Sequence, residues 1–377
     1  MSNASNLSAL ANVLDDGTSG QFLKSTGSGG VAFDSVGGGV TTYADTDSFP
    51  ESGNSAGDLA YVTANTSFYH YNGTDWYGVE LTLFSLAVAW YGDRGIFAGL
   101  GSSDDTINYF DITTTGNATD FGNLTENGYH LASCSNGTRA LFARAGVYGG
   151  GAYAGNIDYI TTATTGDASD FGDLTVGRMQ AGGVSDGTYG VFGGGFAASG
   201  GVTTIDYVTI ATTGDATDFG DMTTNAYGAY GWSDATRGVF AGGSGLGAAI
   251  DYITIATTGD ATDFGDLLFA VSQHATTGDT TRTVIAGGYA PSQSNTTENT
   301  IQYITTATTG NATDFGDLTG RTRRMGACSN ATRGIFHKGY STNAMDYITI
   351  QTLGNATDFG DTTIAAQYPT GTSGSAS

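Results

Sequence analysis

Four groups of residues in this chain have types that could do chemistry. Asp-Phe-Gly occurs six times, starting at Asp120, Asp170, Asp218, Asp263, Asp314 and Asp358. Each copy closes an acidic turn such as Gly214-Asp-Ala-Thr-Asp-Phe-Gly-Asp221, where carboxylates could gather around Ca²⁺. Arginine recurs at one place as Arg94, Arg139, Arg237, Arg282 and Arg333, with Tyr189 standing in once. Four histidines (His70, His130, His274, His337) and two cysteines (Cys134, Cys328) complete the inventory.

Each group has a plainer reading. Asp-Phe-Gly holds a metal in protein kinases, but the catalytic-loop and lysine motifs of that chemistry are missing. The Asp-rich turns lack EF-hand spacing. Asp and Asn also close turns by accepting from nearby backbone N–H groups. Asn117, Asn311 and Asn355 in place of the first Asp suit either reading, so turn structure is expected, with Ca²⁺ as the alternative and no other cofactor. The arginines are expected to pair with repeated carboxylates such as Asp206, Asp251 or Asp346. A sialidase would also cluster arginines, but its Tyr/Glu nucleophile context and its Ser-x-Asp-x-Gly-x-x-Trp box are absent. The histidines have no metal-ligand spacing. Each cysteine sits in a Cys-Ser-Asn step and reads as a small buried strand residue, with a disulfide or metal pair as the weaker alternative. No catalytic residue, no metal site and no enzymatic activity is expected.

Composition narrows the class. The 377 residues carry 36 acidic and 12 basic side chains, a formal charge of −24, which repels nucleic acid and anionic membrane surfaces. No apolar run reaches the roughly 18 residues of a membrane span, so no membrane insertion is expected. The N-terminus has neither a basic start nor an apolar signal core, so an export signal is not expected. The 61 glycines and 3 prolines, among aromatic and β-branched residues, fit many short strands joined by tight turns.

The elements that must position these residues form a repeat. A unit of the type Ile-Asp-Tyr-Ile-Thr-Ile-Ala-Thr-Thr-Gly-Asp-Ala-Thr-Asp-Phe-Gly-Asp-Leu recurs six times, its tyrosines being Tyr109, Tyr159, Tyr207, Tyr252, Tyr303 and Tyr347. These are 50, 48, 45, 51 and 44 residues apart, a period of propeller blades. A second half-unit, Ser233-Asp-Ala-Thr-Arg-Gly-Val-Phe-Ala-Gly-Gly243 in the fourth copy, precedes each. Each blade then has four strands: one running into Ser-Asp/Asn, then Arg-Gly-Val-Phe-Ala, then Asp-Tyr-Ile-Thr-Ile, then an outer strand around Asp-Phe-Gly. The expected fold is all-β: a six-bladed β-propeller over 83–363 with four-stranded blades, Leu83–Trp90 as the first inner strand and 364–377 as a tail. Ile364–Tyr368 competes for that inner place.

Gly-Gly after the second strand (Gly193-Gly194, Gly242-Gly243, Gly287-Gly288) and an aromatic in the third resemble Kelch-type propellers. The Kelch fourth-strand Trp is replaced here by the Phe of Asp-Phe-Gly. Ahead of the repeats, Leu7, Leu10, Ala11 and Leu14 follow helical spacing, and a short N-terminal helix is expected within an anchoring segment over 1–40. Residues 41–82 read as a small β module with strands at Ser55–Val62 and Phe68–Tyr77 and a turn signal at Asn72-Gly73. These two patterns resemble the anchoring segments of bacteriophage tail-fibre and related virion proteins. The resemblance implies a virion protein made in the bacterial host cytoplasm. It further implies attachment to other virion proteins through Leu7, Leu10 and Leu14, and a homo-oligomer, a trimer by preference.

One end of the repeats is uniform and the other is individual. The Thr-Thr-Gly-Asp/Asn-Ala-Thr turns between third and fourth strands are nearly identical. The loops at the opposite end differ in length and content. They carry Tyr148, Tyr153, Phe196, Tyr289 and Tyr340, and a local basic set of Arg178, Arg321, Arg323 and Arg324. Aromatics beside polar groups suit a host surface glycan or a protein receptor. Drift in unselected surface loops is the competing explanation. A purely structural capsid or tail decoration is the alternative function, and a glycan-cleaving enzyme is disfavoured.

Overall fold

A computed structural model of the chain describes residues 21–25, 31–35, 41–44, 49–50, 59–62, 67–71, 74–79, 91–101, 104–128, 130–144, 153–293 and 296–376. The chain divides into two compact units, Met1–Ser85 and Leu86–Ser377. The described residues are all-β. The expected helix at Leu7–Leu14 lies outside them.

In the first unit Gln21–Ser25 pairs with Val31–Ser35. A four-stranded sheet follows, made of Thr41–Tyr43, Leu59–Val62, Ser67–Tyr71 and Trp76–Val79. Leu59–Val62 and Ser67–Tyr71 are antiparallel, and Ser67–Tyr71 pairs in turn with Trp76–Val79. Asn72 and Gly73, between those two, lie outside the described residues.

The second unit holds six four-stranded antiparallel sheets. In strand order, sheet 2 is Ala132–Ser135, Arg139–Ala143, Asn156–Thr161 and Ser169–Asp173. Sheet 3 is Gly182–Ser185, Tyr189–Gly193, Thr204–Thr209 and Thr217–Asp221. Sheet 4 is Tyr230–Ser233, Arg237–Ala241, Ala249–Thr254 and Thr262–Asp266. Sheet 5 is Ala275–Gly278, Arg282–Tyr289, Thr297–Thr305 and Thr313–Thr322. Sheet 6 is Gly326–Ser329, Arg333–His337, Thr342–Thr349 and Thr357–Ala366. The second strands are the most enclosed: their last four residues are buried where the strand is five residues long. The fourth strands bury little besides Phe.

Sheet 1 corrects the expected order. Its second to fourth strands are Arg94–Ala98, Thr106–Asp111 and Thr119–Asn123. Its first strand is Thr370–Gly374, from the C-terminus, paired antiparallel with Arg94–Ala98. Residues 364–377 are therefore no tail. Thr357–Ala366 runs on past the expected end at 363, and the next strand crosses back to sheet 1. Leu83–Trp90 lies outside the described residues, and the inner place expected for it is filled. The physical reason is edge closure: Thr370–Gly374 covers the open edge of Arg94–Ala98 and ties the last repeat to the first by a full strand ladder, beyond the turn contact of Gly116 N with Phe359 O.

The first strands neighbour one another in a closed circuit. Ala132–Ser135 lies beside Gly182–Ser185, and the sequence of neighbours continues through sheets 4, 5 and 6 to Thr370–Gly374, which returns to Ala132–Ser135. The residues there are small. Ser133, Gly183, Gly231, Thr276, Ala327 and Gly371, one per sheet, line two narrow cavities of about 50 and about 40 Å³. Hydroxyls stitch neighbours together: Ser233 Oγ donates to Ser185 O, Ser329 Oγ to Gly278 O and Ser373 Oγ to Ser329 O. Between sheets the core is apolar. Leu141, Phe192 and Ile210 are packed at one interface, Val184, Phe240 and Ile253 at the next.

Truncation after Gln367 removes the first strand of sheet 1 and exposes the Arg94–Ala98 edge. The expected outcome is a fall in Tm of on the order of 10 °C or more, since 1 kcal/mol is worth roughly 2–4 °C in a domain of this size. Self-association of the exposed edge should follow. An unchanged melting curve for that truncation would refute closure by this strand.

Candidate functional site

Asp-Phe-Gly is a β-bulge. In sheet 2, Asp158 pairs with Asp170 and Ile157 with Gly172, which leaves Phe171 as the extra residue; the same shift occurs in every sheet. The bulge turns Phe inward, where Phe121, Phe171, Phe219, Phe264, Phe315 and Phe359 are all buried. Each Phe meets the repeat tyrosine edge-on, at 6.0 Å between centroids for Tyr159 and Phe171. Gly is needed next because φ there is 144–149° and because a Cβ would strike the carbonyl of the following sheet's turn, Gly166 O in the case of Gly122.

That carbonyl belongs to a latch. Gly166 N donates to Phe121 O and Ala168 N to Asn123 O, while Asp167 Oδ1 accepts from Asn123 N at 3.0 Å. The pattern goes round the circuit through Asp215, Asp260, Asn311 and Asn355 to Asn117, which accepts from Asp361 N. Asp and Asn interchange because a single side-chain oxygen does the accepting. Among the described residues no three His, Cys, Asp or Glu side chains gather as a metal site.

The third-strand carboxylates form a second tie. Thr125 donates through N and Oγ1 to Asp158, Thr175 to Asp206, Thr223 to Asp251 and Thr319 to Asp346. Asn108 takes Thr363 in the same way, and Gln302 accepts from Leu268 N. Burial raises the Asp158 carboxyl above its usual range, against the Thr125 bonds and the Arg144 cation. Burial likewise raises Asp251, against the Thr223 bonds.

The repeated arginines do not pair with these carboxylates, contrary to expectation. Arg139 and Leu141 share one face of their strand, whereas Asp158 lies opposite Phe142 and so points to the other. The arginines stack instead on the repeat tyrosines, with guanidinium carbons 4.6–4.9 Å from the ring centroids of Tyr109, Tyr159, Tyr252, Tyr303 and Tyr347. Four of them also donate to a neighbouring sheet's backbone, as Arg139 does to Ala211 O. Tyr189 keeps the stack in sheet 3, edge-on to Tyr207. Cys134 and Cys328 are buried free thiols on the first strands of sheets 2 and 6, with sheet 1 between them.

The individual end of the sheets separates the remaining candidates. Arg178 is buried and fully engaged: it meets Asp206 at 2.6 Å and donates to Val176, Phe192 and Gly194 carbonyls. It is a structural residue rather than an accessible one. Arg321 is exposed and bridges Glu298 at 2.8 Å. Tyr153 and Phe196 make a small aromatic group with Tyr227, at 6.0 and 5.1 Å between centroids. Tyr148, Leu7, Leu10 and Leu14 lie outside the described residues.

Tyr289, Tyr340, Arg323 and Arg324 do come together, with two residues sequence reasoning missed. They make an alternating file. Arg323 lies 5.4 Å from the Tyr289 centroid and 4.7 Å from Tyr340. Arg324 lies 5.2 Å from Tyr340 and 4.4 Å from Tyr368. Tyr368 in turn stands 3.6 Å from the His130 ring. Burial, aided by the Arg324 cation, pushes the His130 pKa down to about 3. His130, Gln180, Gly228, Gln273, Arg324 and Tyr368 each stand two residues ahead of a first strand, and the first five are left-handed, with φ between 57° and 68°. Only one of those five is glycine. The recurrence of this offset was the available signal.

No protein-family model matches the chain, and no curated protein matches its sequence.

Two outcomes follow from the repeated groups. Asp215→Asn should leave stability unchanged within about 0.5 kcal/mol, whereas Asp215→Ala should lose about 1 kcal/mol for the missing acceptor, by urea unfolding. His274 is fully buried, and burial lowers its pKa to about 3 although the Ala241 carbonyl acts the other way. The unfolded chain protonates this ring below about pH 6.5 while the fold does not, so stability is lost as pH falls towards 3. His274→Phe should flatten the profile by about 1.4 kcal/mol per pH unit between pH 6 and 4. Raised Asp158 and Asp251 carboxyls favour the fold on acidification, so the wild type minus variant difference is the measurement to make.

Proposed function

We propose that the chain is a non-enzymatic structural protein of a bacteriophage particle. Residues 1–82 attach it to other virion proteins. A six-bladed, Kelch-like β-propeller over Arg94–Gly374 presents its individual face to the host surface. The propeller reading is supported by the closed circuit of first strands and by latches that repeat from each sheet to the next. A trimer held through Leu7, Leu10 and Leu14 belongs to the same reading, on the strength of their spacing and the resemblance of the N-terminal segment to fibre anchors.

The observation that carries host contact is a division of labour. At the uniform end, the repeated Asp/Asn side chains accept from a neighbouring sheet's backbone. At the other end, the Arg323 and Arg324 guanidiniums meet no carboxylate among the described residues. The repeated aspartates and arginines, the groups an enzyme would have needed, are engaged in holding sheets together.

Purified full-length protein, added in excess to host cells, should reduce adsorption of a phage carrying this chain. Antibody labelling of the particles should place it at a tail or spike position. Labelling on the particle without any effect on adsorption would point to a decoration protein with no receptor. Turnover of host polysaccharide by the purified protein would overturn the non-enzymatic reading.

A further inference from the structure

The file of aromatics and arginines is unusual in what it lacks. No carboxylate lies within ion-pair distance of Arg323 or Arg324 among the described residues, in a chain of net charge −24. The Arg324 guanidinium donates no hydrogen bond there. Arg323 gives only one, to Tyr340 Oη at 3.3 Å. The Nε atoms of both arginines and Oε1 of Gln273 are enclosed without partners. A buried donor left unmade is costly, so groups kept in this state point to an absent partner.

The backbone reinforces this. Arg324, Tyr340 and Ser341 are left-handed at φ 60°, 48° and 69°. Such conformations are strained and persist where the surroundings fix them. Arg324 is fixed at both ends: its N donates to Gln273 O at 2.7 Å, and its carbonyl lies against Gly339, where a Cβ would not fit. The guanidiniums are held in place between rings, and apart from the Arg323 bond to Tyr340 their Nη donor edges are unused among the described residues. Such an edge matches a carboxylate bidentately.

The rest of the surroundings choose the carrier. Tyr340 is 53% exposed, and between the two guanidiniums it offers its ring edge and Oη, an amphipathic surface that suits a sugar hydroxyl. The neighbouring polar side chains include Gln273, whose Oε1 is unpartnered, and the exposed Ser341. Among the described residues the exposed large apolar side chains are Val176, Leu268, Tyr340 and Leu353. The two cavities lined by the first strands, at about 50 and about 40 Å³, have room for water but not for a sugar.

We infer that Arg323 and Arg324, set between Tyr289, Tyr340 and Tyr368, bind the carboxylate of an acidic saccharide, with the exposed edge of Tyr340 beside the sugar. This rests on the reading of the individual face as a recognition face and names its ligand class.

The test is calorimetric titration of the full chain with oligogalacturonate, a sulfated dextran, neutral dextran and inorganic phosphate. Oligogalacturonate should bind, more weakly as salt rises. Arg324→Gln and Tyr340→Ala should each lower affinity at least tenfold with an unchanged melting temperature. Arg323→Gln, at a residue whose backbone is not left-handed, gives the same readout should Arg324→Gln fail to fold. Equal or tighter binding of neutral dextran, binding of sulfate or phosphate alone, or no loss in the variants would each overturn the acidic-sugar site. If no saccharide binds yet the protein still blocks adsorption, this inference fails and the host-contact reading stands. If adsorption is also unaffected, both fail.

Discussion

The second unit depends on one contact, repeated six times: a turn of one sheet laid across the outer strand of the previous one. Two backbone N–H groups of the turn donate to carbonyls of that strand, and the turn's Asp or Asn takes a backbone N–H in return. The contact is possible because the outer strand bulges at Asp-Phe-Gly. The bulge sends Phe into the core and leaves a glycine where the turn's carbonyl comes closest. Removing side chains from that spot permits close backbone approach, and the approach fixes the spacing between sheets. An outer strand that would otherwise present a row of open donors and acceptors is partly covered.

Two further ties act at other radii. The buried third-strand carboxylates gather Thr from the preceding sheet, while the tyrosine on the opposite face carries the arginine that reaches the following one. Sheets 2 and 6 thus hand a carboxylate one way and a cation the other. The carboxylates are satisfied by neutral donors, apart from Asp206 with Arg178 and looser approaches at Asp158 and Asp346. Ties of this kind give register more than net stability, because desolvating the charge offsets much of the gain. The apolar interfaces supply the driving force, at roughly 1.5–3 kcal/mol for each fully buried Phe or Leu.

Much of this was legible in the sequence. The period, the second to fourth strands, the burial of Cys134 and Cys328 and the turn role of Asp/Asn all follow from repeated residue types, since repetition averages out local noise. The first strand of sheet 1 did not follow, because a strand borrowed from the far end of the chain has no sequence neighbour to announce it. Its trace was Thr372-Ser373-Gly374, whose serine stands where Ser135, Ser185, Ser233 and Ser329 stand in other sheets. Opposite charge alone selects an aspartate as the arginine's partner, but strand parity excludes it. Arg139 and Asp158 are on opposite faces, and the tyrosine one residue further on is the diagonal neighbour that parity selects. Arg178 looked like a member of a basic patch because sequence proximity to variable loops says nothing about burial.

The left-handed residues ahead of the first strands show how the same framework serves two ends. At each of these points the chain must turn from loop into the innermost strand, and glycine would make that turn with least strain, as Gly228 does. His130, Gln180, Gln273 and Arg324 stand there instead. For stability alone that choice is unfavourable, and nothing in the sheet ties requires a long polar side chain at these places. What the four have in common is position: each is delivered by the repeat to an equivalent point around the circuit. Gln180 N donates to His130 O and Arg324 N to Gln273 O, so these points are also joined by backbone. A structure that brings one variable residue per sheet to such points can change its chemistry without touching a latch. The strain at Arg324 is best understood as the cost of holding a cation at one of them.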